Sequence, residues 1–140
     1  MKKIMSWEDC RGHIKLVERD IEAIKSIILI TEERLKGLEE MKITENSCSV
    51  IVVDFYEAIK SLLIALMLSN GLKADNHECL IAFVKKNYPD LGFEADKIHE
   101  LKEVRNRISY DGYKAKKDYL DRNLLEFKNI AREIKTRITF

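Results

Sequence analysis

The sequence has one proline and five glycines in 140 residues, so few positions interrupt a helix. Its three cysteines, Cys10, Cys48 and Cys79, are odd in number and show no C-x-x-C spacing. That argues against a disulfide framework or a zinc site, and three free thiols suit a reducing cytoplasm. Net charge is only +1, so no global field draws nucleic acid to the surface. The glycine-rich phosphate loop, the dinucleotide fingerprint and the nucleophile elbow are all missing, which leaves kinase, dinucleotide-binding and α/β-hydrolase chemistry without motifs. The three histidines, His13, His77 and His99, form no H-x-x-x-H or H-E-x-x-H pair, so neither a metal nor a cofactor is expected. "MKKIMSWEDCRGH" is charged where a secretory leader needs an apolar run. The most apolar region, residues 47–70, is broken by Asp54, Glu57 and Lys60, which disfavours a membrane span.

What is present reads as one all-α domain over residues 1–140. Apolar residues make up 46% and charged residues 35%, enough for a packed core and too apolar for a disordered chain. Ile14, Val17, Ile21, Ile24, Ile28, Thr31, Leu35 and Leu38 recur three and four apart, one stripe on a long helix that Ser6 would cap near Trp7. Residues 47–70 are apolar on nearly all sides and predict a central helix closed by Asn70-Gly71. Asp75 and Glu78 form a capping-box pattern ahead of a short helix, "NHECLIAFVKKN". After a "PDLGF" loop comes a fourth helix, "EADKIHELKEVRNRI". Beyond Asp111-Gly112 the stripe Leu120, Leu124, Phe127, Ala131, Ile134 and Ile138 predicts a long last helix. The expected fold is an up-and-down bundle of four main helices plus one short helix.

Charge is uneven along the chain. Residues 105–140 hold ten Lys/Arg against five Asp/Glu, a net of +5, while residues 1–104 hold fifteen against nineteen, a net of −4. The basic third hints at a polyanion partner, although a solvated lysine-rich helix explains it more simply. At about 100° per residue, Ile98, Leu101, Val104 and Ile108 span an apolar arc of the fourth helix, and Arg105 falls inside it. A charge there needs a partner or a cleft. Asp54, Glu57 and Ser61 share one face of the central helix, so Glu57 or Asp54 is the expected partner. The pair would either position the guanidinium for a phosphate or act only as structural glue. Arg107 falls outside the arc, four residues after Glu103, and reads as a surface ion pair. His99 reads as a surface group, and Asn106 as a cap or a ligand contact. Tyr110, Tyr113 and Tyr119 lie among Lys114, Lys116 and Lys117, a pattern that serves base stacking or, more simply, edge packing.

At "LKEVRNRISYDGY" the sequence resembles a HEPN domain, the family named for higher eukaryotes and prokaryotes nucleotide-binding. "DFYEAIKSLLIALMLSNGLKADNHECLIAFV" resembles the family's second helix, linker and third helix. The resemblance implies a cytoplasmic homodimer that binds nucleotide or RNA in a shared cleft, possibly paired with a small nucleotidyltransferase as in toxin–antitoxin systems. Arg105 would be the family's motif arginine and Asn106 its polar residue, with Tyr110 and Tyr113 completing the ligand site and Asp54 and Glu57 supporting it. Active members resemble metal-independent ribonucleases, in which a histidine handles protons. Here Tyr110 stands at that position, and no histidine follows Arg105. A tyrosine titrates near pH 10, so Arg105 and Tyr110 are the only catalytic candidates and binding without catalysis is the expectation. His99, one helical turn earlier, is the candidate replacement. A ligand-free adaptor bundle is the competing class.

Overall fold

The computed structural model describes residues 3–140. Five α-helices dominate: α1 (Ile21–Glu40), α2 (Cys48–Ser69), α3 (His77–Asn87), α4 (Gly92–Asp111) and α5 (Lys117–Arg137). The all-helical class and the bundle hold. One element is added, a small antiparallel ribbon of β1 (Ile14–Leu16) and β2 (Leu72–Ala74), with Ile14 opposite Ala74 and Leu16 opposite Leu72.

Helix α2 is central, as its composition requires: 13 of its 22 residues are buried, and α1, α3, α4 and α5 all pack on it. A helix enclosed on most sides must be apolar on most sides. From α5, Leu120, Phe127, Ala131 and Ile134 enter the same core. Each such leucine or phenylalanine contributes about 1.5–3 kcal/mol on burial. In α1 the stripe survives as buried Ile24, Thr31 and Leu38.

The first twenty residues depart from the sequence reading. Ser6 does cap, its Oγ accepting from the Asp9 N–H at 3.2 Å, but what it opens is a 3-10 turn over Glu8–His13. Ile14 and Val17 belong to the ribbon region, not to α1: the Val17 N–H donates to Gly71 O (2.9 Å) and the Asp75 N–H to His13 O (3.0 Å). Asp20 then caps α1 by accepting from the Ala23 N–H at 3.0 Å. The three-residue spacing of Ile14 and Val17 mimics a helical stripe, and pairing with β2 overrides it. Gly71 makes the turn from α2 into β2 possible. Its φ is +73°, and a Cβ there would meet Val17 O at 3.3 Å.

Two further boundaries move. Asn76, not Asp75, caps α3, its Oδ1 accepting from the Glu78 N–H at 2.8 Å, and Asp75 is left to bond His13. The "PDLGF" segment is not a loop throughout. Pro89–Leu91 form a 3-10 turn and α4 begins at Gly92. Helix α4 also runs on to Asp111, so Tyr110 lies on the helix, and Gly112 ends it with φ +69°.

The expectation of three free thiols is overturned. Cys10 and Cys79 form a disulfide across 69 residues of sequence, their Cα atoms 5.7 Å apart, and Cys48 alone remains free, buried in the core. No local spacing announces this bond. It exists because the ribbon lays the 3-10 turn over the first turn of α3, within bridging range. The residues between Glu8 and Val17 thus form a strap held to α3 by the disulfide and to β2 by the ribbon.

Candidate functional site

Arg105 stands on α4 facing α2. Its Nη2 donates to Glu57 Oε1 at 2.8 Å. Its Nη1 donates to the Tyr110 hydroxyl at 3.0 Å and to Asn106 Oδ1 at 3.1 Å. The guanidinium carbon lies 5.5 Å from the Tyr56 ring centre and 5.4 Å from that of Tyr110. A flat cation between two ring faces gains both electrostatic and contact energy. Its side chain retains 20% exposure, so the group is held but not sealed. The expected carboxylate partner is therefore Glu57. Asp54 is instead influenced by Arg34 of α1, and burial pushes its carboxyl above the ordinary range against that charge.

Glu57 is shared. Lys60 Nζ approaches its other oxygen at 2.7 Å. Burial alone would raise this carboxyl, but the bonds and charges of Lys60 and Arg105 outweigh it and hold Glu57 below its usual value. Arg105 is stabilised as a cation in turn. Burial works against its charge, and the bonds to Tyr110 and Glu57 more than restore it. Burial drives the Tyr56 hydroxyl up to about 12, so it serves as a ring face and a neutral donor.

The guanidinium opens into a polar cleft of about 500 Å³, lined on one side by Tyr56, Lys102, Asn106 and Tyr110. His13, Asp75, Asn76, His77 and Glu78 line the other side. His13 Nδ1 lies 2.7 Å from Asp75 Oδ1. Lys102, only 7% exposed, approaches Glu78 at 3.4 Å and Glu103 at 3.5 Å. Burial lowers the affinity of His77 for a proton, and the nearby Lys60, Arg105 and Lys102 lower it further against the pull of Glu57. With neutral histidines the lining holds two cations, Lys102 and Arg105, against two carboxylates, Asp75 and Glu78, a net of zero. The protonation of His13 and His77 therefore decides whether the cleft attracts anions.

Several residues lie elsewhere than the sequence suggested. Tyr113 does not line the cleft; the Arg107 guanidinium stacks on its ring at 4.1 Å. Glu103 pairs with Lys102, not with Arg107. His99 is not a surface group: it is 4% exposed and lines a separate pocket with Trp7 and Lys86. It does not reach Arg105's cleft, but His77 and His13 do. Sequence reasoning missed both, along with Asp75, Lys102 and Tyr56. Lys102 alone had a local signal, three residues before Arg105 on the same helix flank. The others come from α2, α3 and the strap, and only folding gathers them.

Among the described residues, no group of three or more His, Cys, Asp or Glu gathers closely enough to hold a metal ion, and no helix is long and apolar enough to cross a membrane. Fold and site define a helical bundle with a guanidinium-centred polar cleft. No protein-family model, curated protein or solved structure matches the chain.

Proposed function

We propose that the chain is a HEPN-like nucleotide- or RNA-binding domain that works as a cytoplasmic homodimer, with a small nucleotidyltransferase as candidate partner. The observation that carries this reading is the state of Arg105: fixed by Glu57, Tyr110 and Asn106, flanked by two tyrosine rings, yet open to the cleft. A guanidinium pre-oriented in this way binds phosphate at little conformational cost, and the exposed ring of Tyr110 offers a base a stacking face. An adaptor bundle would need Arg105 only as glue and would gain nothing from leaving it accessible. The test is titration of nucleotides and short 5′-phosphorylated RNAs against wild type and Arg105→Ala. Loss of one charge-assisted contact, about 1.5–3 kcal/mol, gives a roughly tenfold to hundredfold weaker complex. Equal affinity in the two proteins would leave the adaptor reading.

A second reading, metal-independent ribonuclease, is favoured by one observation: two histidines share the cleft with Arg105 although neither belongs to the α4 segment. General acid–base work needs groups that titrate near neutrality, as histidine does and tyrosine does not. Single-stranded RNA incubated with the protein in a chelator would be cleaved by wild type and not by His77→Ala or Arg105→Ala. RNA left intact at high protein concentration excludes this reading and keeps binding.

A further inference from the structure

The disulfide adjoins the cleft. Cys79 is the third residue of α3, and the two residues before it, His77 and Glu78, line the cleft. Cys10 lies three residues before His13, which lines it from the strap. One covalent bond thus fastens two segments of the same wall.

Without that bond the strap keeps little. The ribbon has three residues per strand, and so short a two-stranded pair is marginal by itself. The His13–Asp75 contact has side chains 41% and 65% exposed, and exposed ion pairs contribute little. Trp7 packs on Phe83 with ring centres 5.6 Å apart, which guides the strap back but does not lock it. In a reducing compartment, moreover, lasting disulfides are uncommon, and those that form are mostly transient or sensing.

We propose that Cys10–Cys79 is a redox latch. Oxidised, it holds residues 8–17 in place as one wall of the Arg105 cleft; reduced by a dithiol, it releases them and weakens the binding of phosphate-bearing ligands. The regulatory half rests on the cleft reading given above. In the exchange, a reductant thiolate attacks one protein sulfur and the S–S bond breaks. The mixed disulfide is then resolved by the reductant's second thiol. Two electrons pass from the dithiol to the protein, two cysteine thiols form, and the dithiol leaves as its own disulfide. Both sulfurs are fully buried, so attack waits for the strap to lift. A ligand that stabilises the closed wall must therefore slow reduction, because the coupling is reciprocal.

The experiment compares the oxidised chain, the chain treated with excess dithiothreitol, and Cys10→Ser/Cys79→Ser. The bond is scored by alkylation after denaturation: one alkyl group, on Cys48, when oxidised and three when reduced. Hydrogen exchange is read at residues 13–17 and 72–75. A 5′-phosphorylated oligoribonucleotide probes binding. We expect exchange in both segments to rise at least tenfold on reduction, affinity to fall at least fivefold, and the oligonucleotide to slow reduction. If the double variant fails to fold, the dithiothreitol-treated chain carries the test. Unchanged exchange after full reduction overturns the latch and leaves a structural staple. Raised exchange with unchanged affinity overturns the regulatory half. Raised exchange with no binding in either redox state supports the latch and sinks the cleft reading instead.

Discussion

Glu57 accepts from two cations at once, Arg105 and Lys60, so its loss strands both. Glu57→Gln keeps the shape and removes the charge, and the expected cost is about 1–3 kcal/mol, read from urea unfolding near neutral pH. The sign of its pH dependence follows from its depressed value. The stability that Glu57 provides is present above the unfolded glutamate value of about 4.3 and is lost as pH falls through the lower folded value. The glutamine variant should therefore differ most from wild type above pH 5 and converge with it in acid. His77 is also depressed, so the fold favours the neutral ring and stability declines as pH drops below about 6.5. Its neighbours set this balance: Lys60 and Glu57 from α2, Arg105 and Lys102 from α4. A bound phosphate reverses the preference by favouring the imidazolium. Phosphate-ligand affinity should therefore increase from pH 7.5 to 5.5 in calorimetric titrations, and His77→Ala should flatten that slope. A rise of equal steepness in the variant would remove His77 from the site.

At the scale of elements, hydrophobic period and helix punctuation made α2, α3 and α5 legible, because each buries a face whose width its apolar pattern already states. The guanidinium on the greasy flank of α4 was legible for the same reason, and with it the need for Glu57 or Asp54. The choice of Glu57 was not, since both carboxylates lie on adjacent turns and only the rotation of α2 against α4 selects one. The strap was misread because Ile14 and Val17 fit a helical stripe by spacing alone. The two left-handed glycines separate strain from crowding. At Gly112 an added Cβ meets nothing within 4 Å, whereas at Gly71 it meets Val17 O at 3.3 Å. Gly112→Ala should cost about 1–2 kcal/mol for the left-handed backbone. Gly71→Ala should cost more, because the ribbon must also move. Equal thermal shifts in the two variants would show that the Gly71–Val17 approach is not tight in solution.

For the whole molecule, the disulfide closes a loop of 69 residues, and the chain-entropy model assigns such a link about 4 kcal/mol. Urea unfolding with and without reductant measures that difference, and a gap under 1 kcal/mol would mean that the unfolded chain is already restrained. The proposed homodimer predicts a mass near twice 16.4 kDa in sedimentation equilibrium at micromolar concentration; a monomer there would confine the cleft to one chain. By itself the sequence determined the helical class, the central place of α2, the stripe of α5 and the anomaly at Arg105. Each of these is written in residues a few positions apart, where helix geometry alone fixes which side chains share a face. Tertiary structure decided the β1–β2 ribbon, the bond between Cys10 and Cys79, and the entry of His13 and His77 into the cleft. Those depend on contacts across more than fifty residues of chain, and no local period records which distant segments the packing of the core will bring together.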